Sequence, residues 1–295
     1  MNLRIHLTLL LAFAVVGGLV FNAAAQTPPP AVNFPAASPT CTINQRVGLT
    51  DVEVVYSRPG IKGRSIFGGI VPYGEVWRTG ANAATKITFS TPVKLEGNDI
   101  PAGTYSLFTI PGKDEWTIII NKNAKQWGSF QYDTNEDLVR FNVAPRPLLD
   151  PPLETFMIEF AQITDESAEL MLLWDQTVVP IRLQVDVVST VVPQIDAAMA
   201  SPVKKTDGFY FQAATFYYDH NLDLDKALKW VDAGLADKPM IAFEMMHLKA
   251  EILAKQGDKA GAIAAAKKSS ELAIKAEGPG NSFVWMNQKL IDSLQ

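Results

Sequence analysis

The residues best suited to bind a ligand lie between Ser57 and Asn82. Four cations fall within 21 residues here, and Trp77 and Asn82 flank the last of them. The planar fork of arginine suits a carboxylate, phosphate or sulfate group, and an asparagine can orient a hydroxyl or an amide. If residues 59–74 fold back over Trp77, these side chains meet at one opening. The residues expected to face a ligand there are Arg58, Lys62, Arg64, Trp77, Arg78 and Asn82.

The same arginines could instead stabilise loops that lack regular hydrogen bonding. Carboxylates for this role are near in sequence at Asp51, Glu53 and Glu75, and Arg58 or Arg78 could pair with them. Both interpretations remain open.

The two cationic residue types are distributed unequally. All seven arginines after Arg4 lie between Arg46 and Arg182, whereas residues 196–295 contain twelve lysines and no arginine. Solubility alone explains a surface of hydrated lysines, but an arginine fork suits a planar anion or several carbonyl groups in fixed geometry. We therefore predict that Arg58, Arg64 and Arg78 converge at one end of a β-domain.

Aromatic residues form a second candidate binding surface. A sugar ring can stack on such side chains while amides and arginines bind its hydroxyls, a mixed lining typical of small-molecule pockets. These side chains could also simply cap the core at its open end. The group comprises Trp77, Tyr105, Trp127, Phe130 and Tyr132, of which Trp127 and Tyr132 join the predicted ligand-binding residues.

Several classes of chemistry are excluded. The β-rich part of the chain contains no histidine, which rules out Ser-His-Asp and Cys-His catalysis there. His220 and His247 lie in the helical region and are interpreted as packing or surface residues. We expect no metal site, no nucleotide-binding loop and no cofactor.

Hydrolysis by paired carboxylates remains open. A glycosidase needs two acids about 5–9 Å apart, and five acids follow one another near the aromatic group. Their turn-like, solvated settings make a raised pKa unexpected. They are Asp114, Glu115, Asp133, Glu136 and Asp137.

The N-terminus resembles a secretory signal peptide. Arg4 precedes an apolar run, and Ala23-Ala24-Ala25 offers small residues for cleavage, with Gln26 as the new N-terminus. The alternative is a retained anchor. Cleavage would leave a periplasmic or secreted protein without a membrane span.

Charge and cysteine content limit the partners. The formal net charge is −5, so a nucleic acid is not an expected partner. Cys41 is the only cysteine, which excludes an internal disulfide. It could pair between molecules or lie half-buried in a first strand.

Residues 26–40 contain five prolines and no charge, which is typical of an extended tether. The following region, to about residue 190, shows short strands separated by turn residues and no helical pattern, which predicts an antiparallel β-sandwich of jelly-roll type. The predicted strands cover residues 42–47, 52–56, 75–78, 85–90, 93–95, 103–110, 116–121, 138–143, 155–163, 168–174 and 179–187.

The residue pattern of the chain changes after Pro193. Residues 196–295 have a helical apolar period, with breaks at Gly, Pro and Asn. Ala227 and Ala262 occupy similar packing positions 35 residues apart, which resembles tetratricopeptide repeats, although a plain helical bundle is the alternative. The predicted helices cover residues 207–218, 225–236, 242–255, 259–276 and 282–294.

The β region resembles a known family. Its motifs are SRPGIKGRSIFGGIVPYGEVWRTGANAATKITFS, PAGTYSLFTIPGKDEWTIIINK and QWGSFQY, all between Ser57 and Tyr132. They are similar to exported bacterial proteins of the domain-of-unknown-function family 2911. This resemblance implies a fold-sized unit, export and often a helical extension, but no established reaction.

Two functions from different classes follow as hypotheses. The first is a non-catalytic module that binds a small polar or anionic ligand, including a glycan, with a protein partner on the helical tail. The second is a carboxylate-dependent hydrolase acting on envelope or extracellular polysaccharide. A binding protein would lose its ligand in Arg78→Ala or Trp77→Ala without showing turnover, whereas a hydrolase would be silenced by one acid-to-amide change.

Overall fold

The structure is a computed structural model that describes residues 33–295 except 149, 237 and 238. The predicted signal peptide and residues 26–32 of the predicted tether lie outside the described residues. Residues 38–295 form one compact unit. Within the described part of the chain, no helix is long and apolar enough to cross a membrane.

The first half of this unit contains two antiparallel sheets, as predicted. Along the first sheet the strands follow the order β1 (Thr40–Val47), β2 (Thr50–Ser57), β3 (Thr85–Phe89), β6 (Gly103–Ile110), β7 (Trp116–Asn121) and β8 (Asp137–Val143). The order in the second sheet is β10 (Leu153–Ala161), β11 (Ser167–Asp175), β12 (Thr177–Val185), β4 (Val93–Leu95) and β5 (Asn98–Ile100), and β9 (Arg146–Pro147) pairs with β12.

The two sheets share one hydrophobic core. On β2 the side chains alternate between buried and exposed or half-buried positions, so that Val52, Val54 and Tyr56 face inward. The second sheet contributes residues such as Ile158 and Ile181 to the same cluster. The Tyr56 hydroxyl also accepts a hydrogen bond from the Ile158 backbone N–H at 2.9 Å, which joins the sheets across the core.

Five aromatic side chains fill one end of this core. Their ring centroids lie between 4.9 and 6.2 Å apart in mostly edge-to-face pairs, a geometry that aromatic quadrupoles favour. The cluster consists of Phe67, Trp77, Trp116, Phe156 and Trp174.

The second half consists of six helices: α1 (Val188–Ala200), α2 (Asp207–Asp219), α3 (Leu224–Leu235), α4 (Ala242–Lys255), α5 (Lys259–Glu277) and α6 (Ser282–Leu294). Four of them start at a side-chain cap, for example Asp258, which accepts from the Gly261 N–H at 2.9 Å. The predicted all-α tail is confirmed. Its tetratricopeptide-like character remains a prediction.

The helical tail packs directly on the sandwich. Phe216 of α2 contacts both the β core and the helical core. Next to it, the His220 side chain is buried, and its Nε2 lies 3.3 Å from an Asp165 carboxylate oxygen in the β10–β11 turn.

Two predicted features differ from the structure. The chain at residues 75–78 is not a strand: Trp77 forms a single bridge to Thr109, because Thr79 and Gly80 adopt positive φ and turn the chain away. The last strand ends at Val185, and the unpredicted helix α1 follows with Pro193 inside it. Its β-branched residues resemble a strand, but tertiary packing of Ile195 and Val191 into the helical core favours the helix.

Candidate functional site

Arg58 connects the two sheets. Its Nε donates to the Phe156 carbonyl of β10 at 3.0 Å, and its backbone N–H donates to the Pro39 carbonyl at 2.9 Å. The side chain is half-buried. These contacts agree with the interpretation that Arg58 stabilises the local structure. Its partner is a backbone carbonyl, however, and not one of the expected carboxylates.

Arg64 holds its own loop. Its guanidinium donates to the Gly60 carbonyl at 2.6 Å and to the Ile61 carbonyl at 3.0 Å. The loop also reaches β10, because the backbone N–H of Lys62 donates to a Glu154 carboxylate oxygen at 2.9 Å. Arg58, Lys62 and Arg64 therefore all lie beside the first half of β10.

Trp77 lies in the core rather than on the surface. Only 9% of its surface is exposed, and its Nε1 donates to the Gly80 carbonyl at 3.0 Å. This position fits the interpretation that it caps the core.

Arg78, Asn82 and Trp127 are brought together by two loops that bind each other. The Asn82 carbonyl accepts from Arg78 Nη1 at 3.0 Å and from the Gly128 N–H at 3.1 Å, and Ala83 forms a β-bridge with Trp127. The Arg78 guanidinium also lies 5.4 Å from the centre of the Phe130 ring, within the range of a cation–π contact. We call Arg78, Asn82, Trp127 and Phe130 the aromatic ledge.

The ledge is open to solvent. The exposed fractions are 64% for Trp127 and 79% for Phe130. Among the described residues, no group pairs with Arg78 Nη2 or with the side-chain oxygen of Asn82, whose amide nitrogen donates to Ser38 and Ser57 at 3.1 and 3.2 Å. The ledge thus places two exposed aromatic rings beside unused hydrogen-bond donors on Arg78 and an unused acceptor on Asn82.

Tyr132 belongs to a neighbouring polar network. Its hydroxyl donates to Asp137 Oδ2 at 2.6 Å and accepts from Arg140, while its ring packs on Phe108. Burial first, and then the hydrogen bond to Asp137, raises the pKa of Tyr132 to about 12. Tyr132 is therefore occupied by internal partners.

Four of the five acids that could support hydrolysis are engaged in local structure. Asp137 accepts from Asn121 at 2.9 Å, Glu136 accepts from Asn123 at 3.1 Å, and Glu115 accepts from Asn142 at 2.8 Å. Asp133 caps a short 3-10 helix, residues 134–136.

Sequence reasoning missed a concavity on the sandwich. Its volume is about 270 Å³, and Lys113 and Arg146 lie on its rim beside Trp116. Lys113 follows a Pro-Gly turn and Arg146 lies between two prolines, so both resemble ordinary loop residues in the sequence. The fold brings them to one concavity, because β7, which follows Lys113, pairs with β8, which precedes Arg146, and Trp116 lies opposite Val143.

Comparison with known proteins agrees with this architecture. Residues 38–183 match the family model described as "Protein of unknown function (DUF2911)". The β region of the chain belongs to this family, and the six helices follow it. Searches among curated proteins and among solved structures gave no match.

Proposed function

We propose that this protein is a non-catalytic binding module that takes a sugar, preferably an acidic one, on the aromatic ledge. One observation carries the proposal: Trp127 and Phe130 are largely exposed beside a cation that has unused donors. Neighbouring exposed aromatic rings lower the solubility of a protein, and on a protein surface they often mark an interaction site.

The chemistry of the ledge suits a pyranose ring. The C–H face of a sugar can stack on Trp127 or Phe130, as an amphipathic ring accepts both apolar and polar contacts. Arg78 supplies donors for a carboxylate or hydroxyl oxygen, and the Asn82 oxygen can accept from a hydroxyl. Gly128 supports this arrangement, because a Cβ there would lie 2.9 Å from the Phe130 ring and 3.2 Å from Arg78 Nη1.

The test is calorimetric titration of the mature chain with a galacturonic acid trimer and an N-acetylglucosamine trimer. We expect the acidic trimer to bind more tightly, and Trp127→Ala to weaken binding by about ten-fold or more. Arg78→Ala should remove the preference for the acidic trimer.

Matched controls are available in the same chain. Trp285→Ala removes another largely exposed tryptophan, 66% exposed on α6, and Arg182→Ala removes an exposed arginine of β12. Both should leave binding unchanged. Failure of the acidic trimer to bind, or equal losses of affinity in the control variants, would contradict the proposal.

The hydrolase alternative has less support. The acids near the ledge hold backbone and amide groups, and the described acid whose pKa burial raises is Glu251, in the helical tail. Release of reducing ends from either trimer, abolished by Asp137→Asn or Glu136→Gln, would favour the hydrolase instead.

The compartment and the partner belong to the same proposal. We propose export with cleavage after Ala25, which the intact mass of the mature protein would test. A protein partner on the helical tail remains a prediction; Trp285 and Ile274, 66% and 44% exposed, are large apolar residues available there.

A further inference from the structure

A second concavity lies away from the aromatic ledge. None of the residues that line this concavity belongs to the aromatic ledge. The cavity volume is about 270 Å³. This is just below the roughly 300–1,000 Å³ of most ligand pockets and suits a small molecule. Its walls include Phe67, Tyr73, Lys113, Trp116, Arg146 and Gln176.

Trp116 has an unused hydrogen-bond donor. In the aromatic cluster, Trp77 donates its indole N–H to the Gly80 carbonyl and Trp174 donates to the Glu154 carbonyl at 3.3 Å. Trp116 is only 2% exposed and lines the cavity, yet no described residue accepts from its Nε1. This Nε1 is not among the buried side-chain atoms that lack a partner in the described residues, so solvent reaches it through the cavity and an acceptor on a ligand can replace that water.

The two cations at the rim are also unpaired within the described residues. Lys113 and Arg146 are exposed and form no ion pair or side-chain hydrogen bond there, in contrast to Arg58, Arg64 and Arg78. Gln176 also lines the cavity, and its amide nitrogen donates to Asp150 at 2.7 Å. Positive charge and a free N–H thus lie around an aromatic wall.

We propose that this cavity binds a small organic anion with a planar apolar body, such as an aromatic carboxylate. The planar body packs against Phe67, Tyr73 and Trp116, and the carboxylate pairs with Lys113 and Arg146. One carboxylate oxygen, or a polar substituent on the ring, accepts from Trp116 Nε1. This ligand differs from the sugar proposed for the ledge, so each site can be tested without the other.

The experiment is a titration of ¹⁵N-labelled mature protein with benzoate, followed through the indole N–H signals. The chain contains six tryptophans, and Trp116→Phe identifies the signal of interest by its loss. We expect benzoate to shift the Trp116 signal saturably, while the neutral analogue benzamide leaves it in place. Arg146→Ala and Lys113→Ala should each weaken benzoate binding by about ten-fold, because each removes a charge-assisted contact.

Matched controls are Arg182→Ala and Lys86→Ala, which remove one exposed cation each from other strands. They should leave the benzoate titration unchanged. A Trp116 signal that stays fixed at millimolar benzoate overturns the proposal. So does an equal response to benzamide, or an affinity that survives both rim substitutions.

Discussion

A buried polar chain joins the last three helices, and its central residue is Asn287. The Asn287 side-chain oxygen lies 2.7 Å from His247 Nδ1, and its amide nitrogen donates to Ser269 Oγ at 2.9 Å. Ser269 in turn donates to the Phe243 carbonyl at 2.6 Å. Because Ser269 is the donor there, it must accept from Asn287, and His247 must carry its proton on Nδ1.

The loss in the free energy of unfolding caused by Asn287→Ala follows from this geometry. Asn287 is fully buried, and His247 is 6% exposed. The substitution leaves the His247 N–H and the Ser269 lone pair without partners, at about 1–3 kcal/mol each. The expected loss of stability is therefore about 2–6 kcal/mol. The double variant Asn287→Ala, Ser269→Ala should lose less stability than the sum of the two single variants. The reason is that the double variant has no Ser269 oxygen left without a hydrogen-bond donor.

Urea unfolding monitored by helical circular dichroism measures these losses. The exposed neighbour Gln288→Ala is the control and should change stability by no more than about 0.5 kcal/mol. A loss below about 1 kcal/mol for Asn287→Ala would refute the reasoning. Strict additivity with Ser269→Ala would refute the chain of donors inferred above.

Three further predictions concern the sandwich. Gly48→Ala should lower the free energy of unfolding in urea by more than about 2 kcal/mol, because φ is +54° and the new methyl group would lie 2.2 Å from the Asp165 carbonyl oxygen. The matched variant Gly97→Ala, with φ +79° and open space around it, should lower it by only about 1 kcal/mol. The stabilisation from protonated Tyr132 is complete below pH 10 and is lost as the pH rises towards about 12. Burial also raises the pKa of Tyr56, Tyr105, Tyr217 and Tyr218, so the test is the difference between two ultraviolet titrations: Tyr132→Phe should remove one tyrosine from the late part of the curve. Arg58→Ala should cost about 1–3 kcal/mol in thermal unfolding with no ligand present, since its partner is a carbonyl of β10; an unchanged melting temperature would remove its structural role.

Local patterns were sufficient to predict most elements. The bounds of β6, β7, α4 and α6 agree with the predicted ones, because turn residues or caps mark their ends and their apolar period is regular. The Asn281 cap of α6, which accepts from the Phe283 N–H at 2.8 Å, is one such signal.

The failures have physical causes that a local reading cannot weigh. Helix α1 contains Val and Thr residues and a proline, which disfavour a helix. Only its start carries a signal in the sequence, because Asp186 accepts a hydrogen bond from the Ser189 N–H at 2.9 Å. That hydrogen bond also lowers the pKa of Asp186. The remainder of α1 depends on contacts with α2 and its neighbours, which no local pattern reports.

The candidate sites depend on how each cation uses its hydrogen-bonding groups, which its residue type does not determine. Arg64 lies in a loop with Gly60 and Gly63, whose backbone is intrinsically free, and its guanidinium holds two carbonyls of that loop. Arg146 lies between Pro145 and Pro147, and these rings restrict the backbone on both sides without any help from the side chain. Its guanidinium is therefore left at the rim of the cavity with all its donors unused by the described residues. Where the backbone is already rigid, an arginine side chain is not needed to stabilise it, and a role in binding becomes the better explanation.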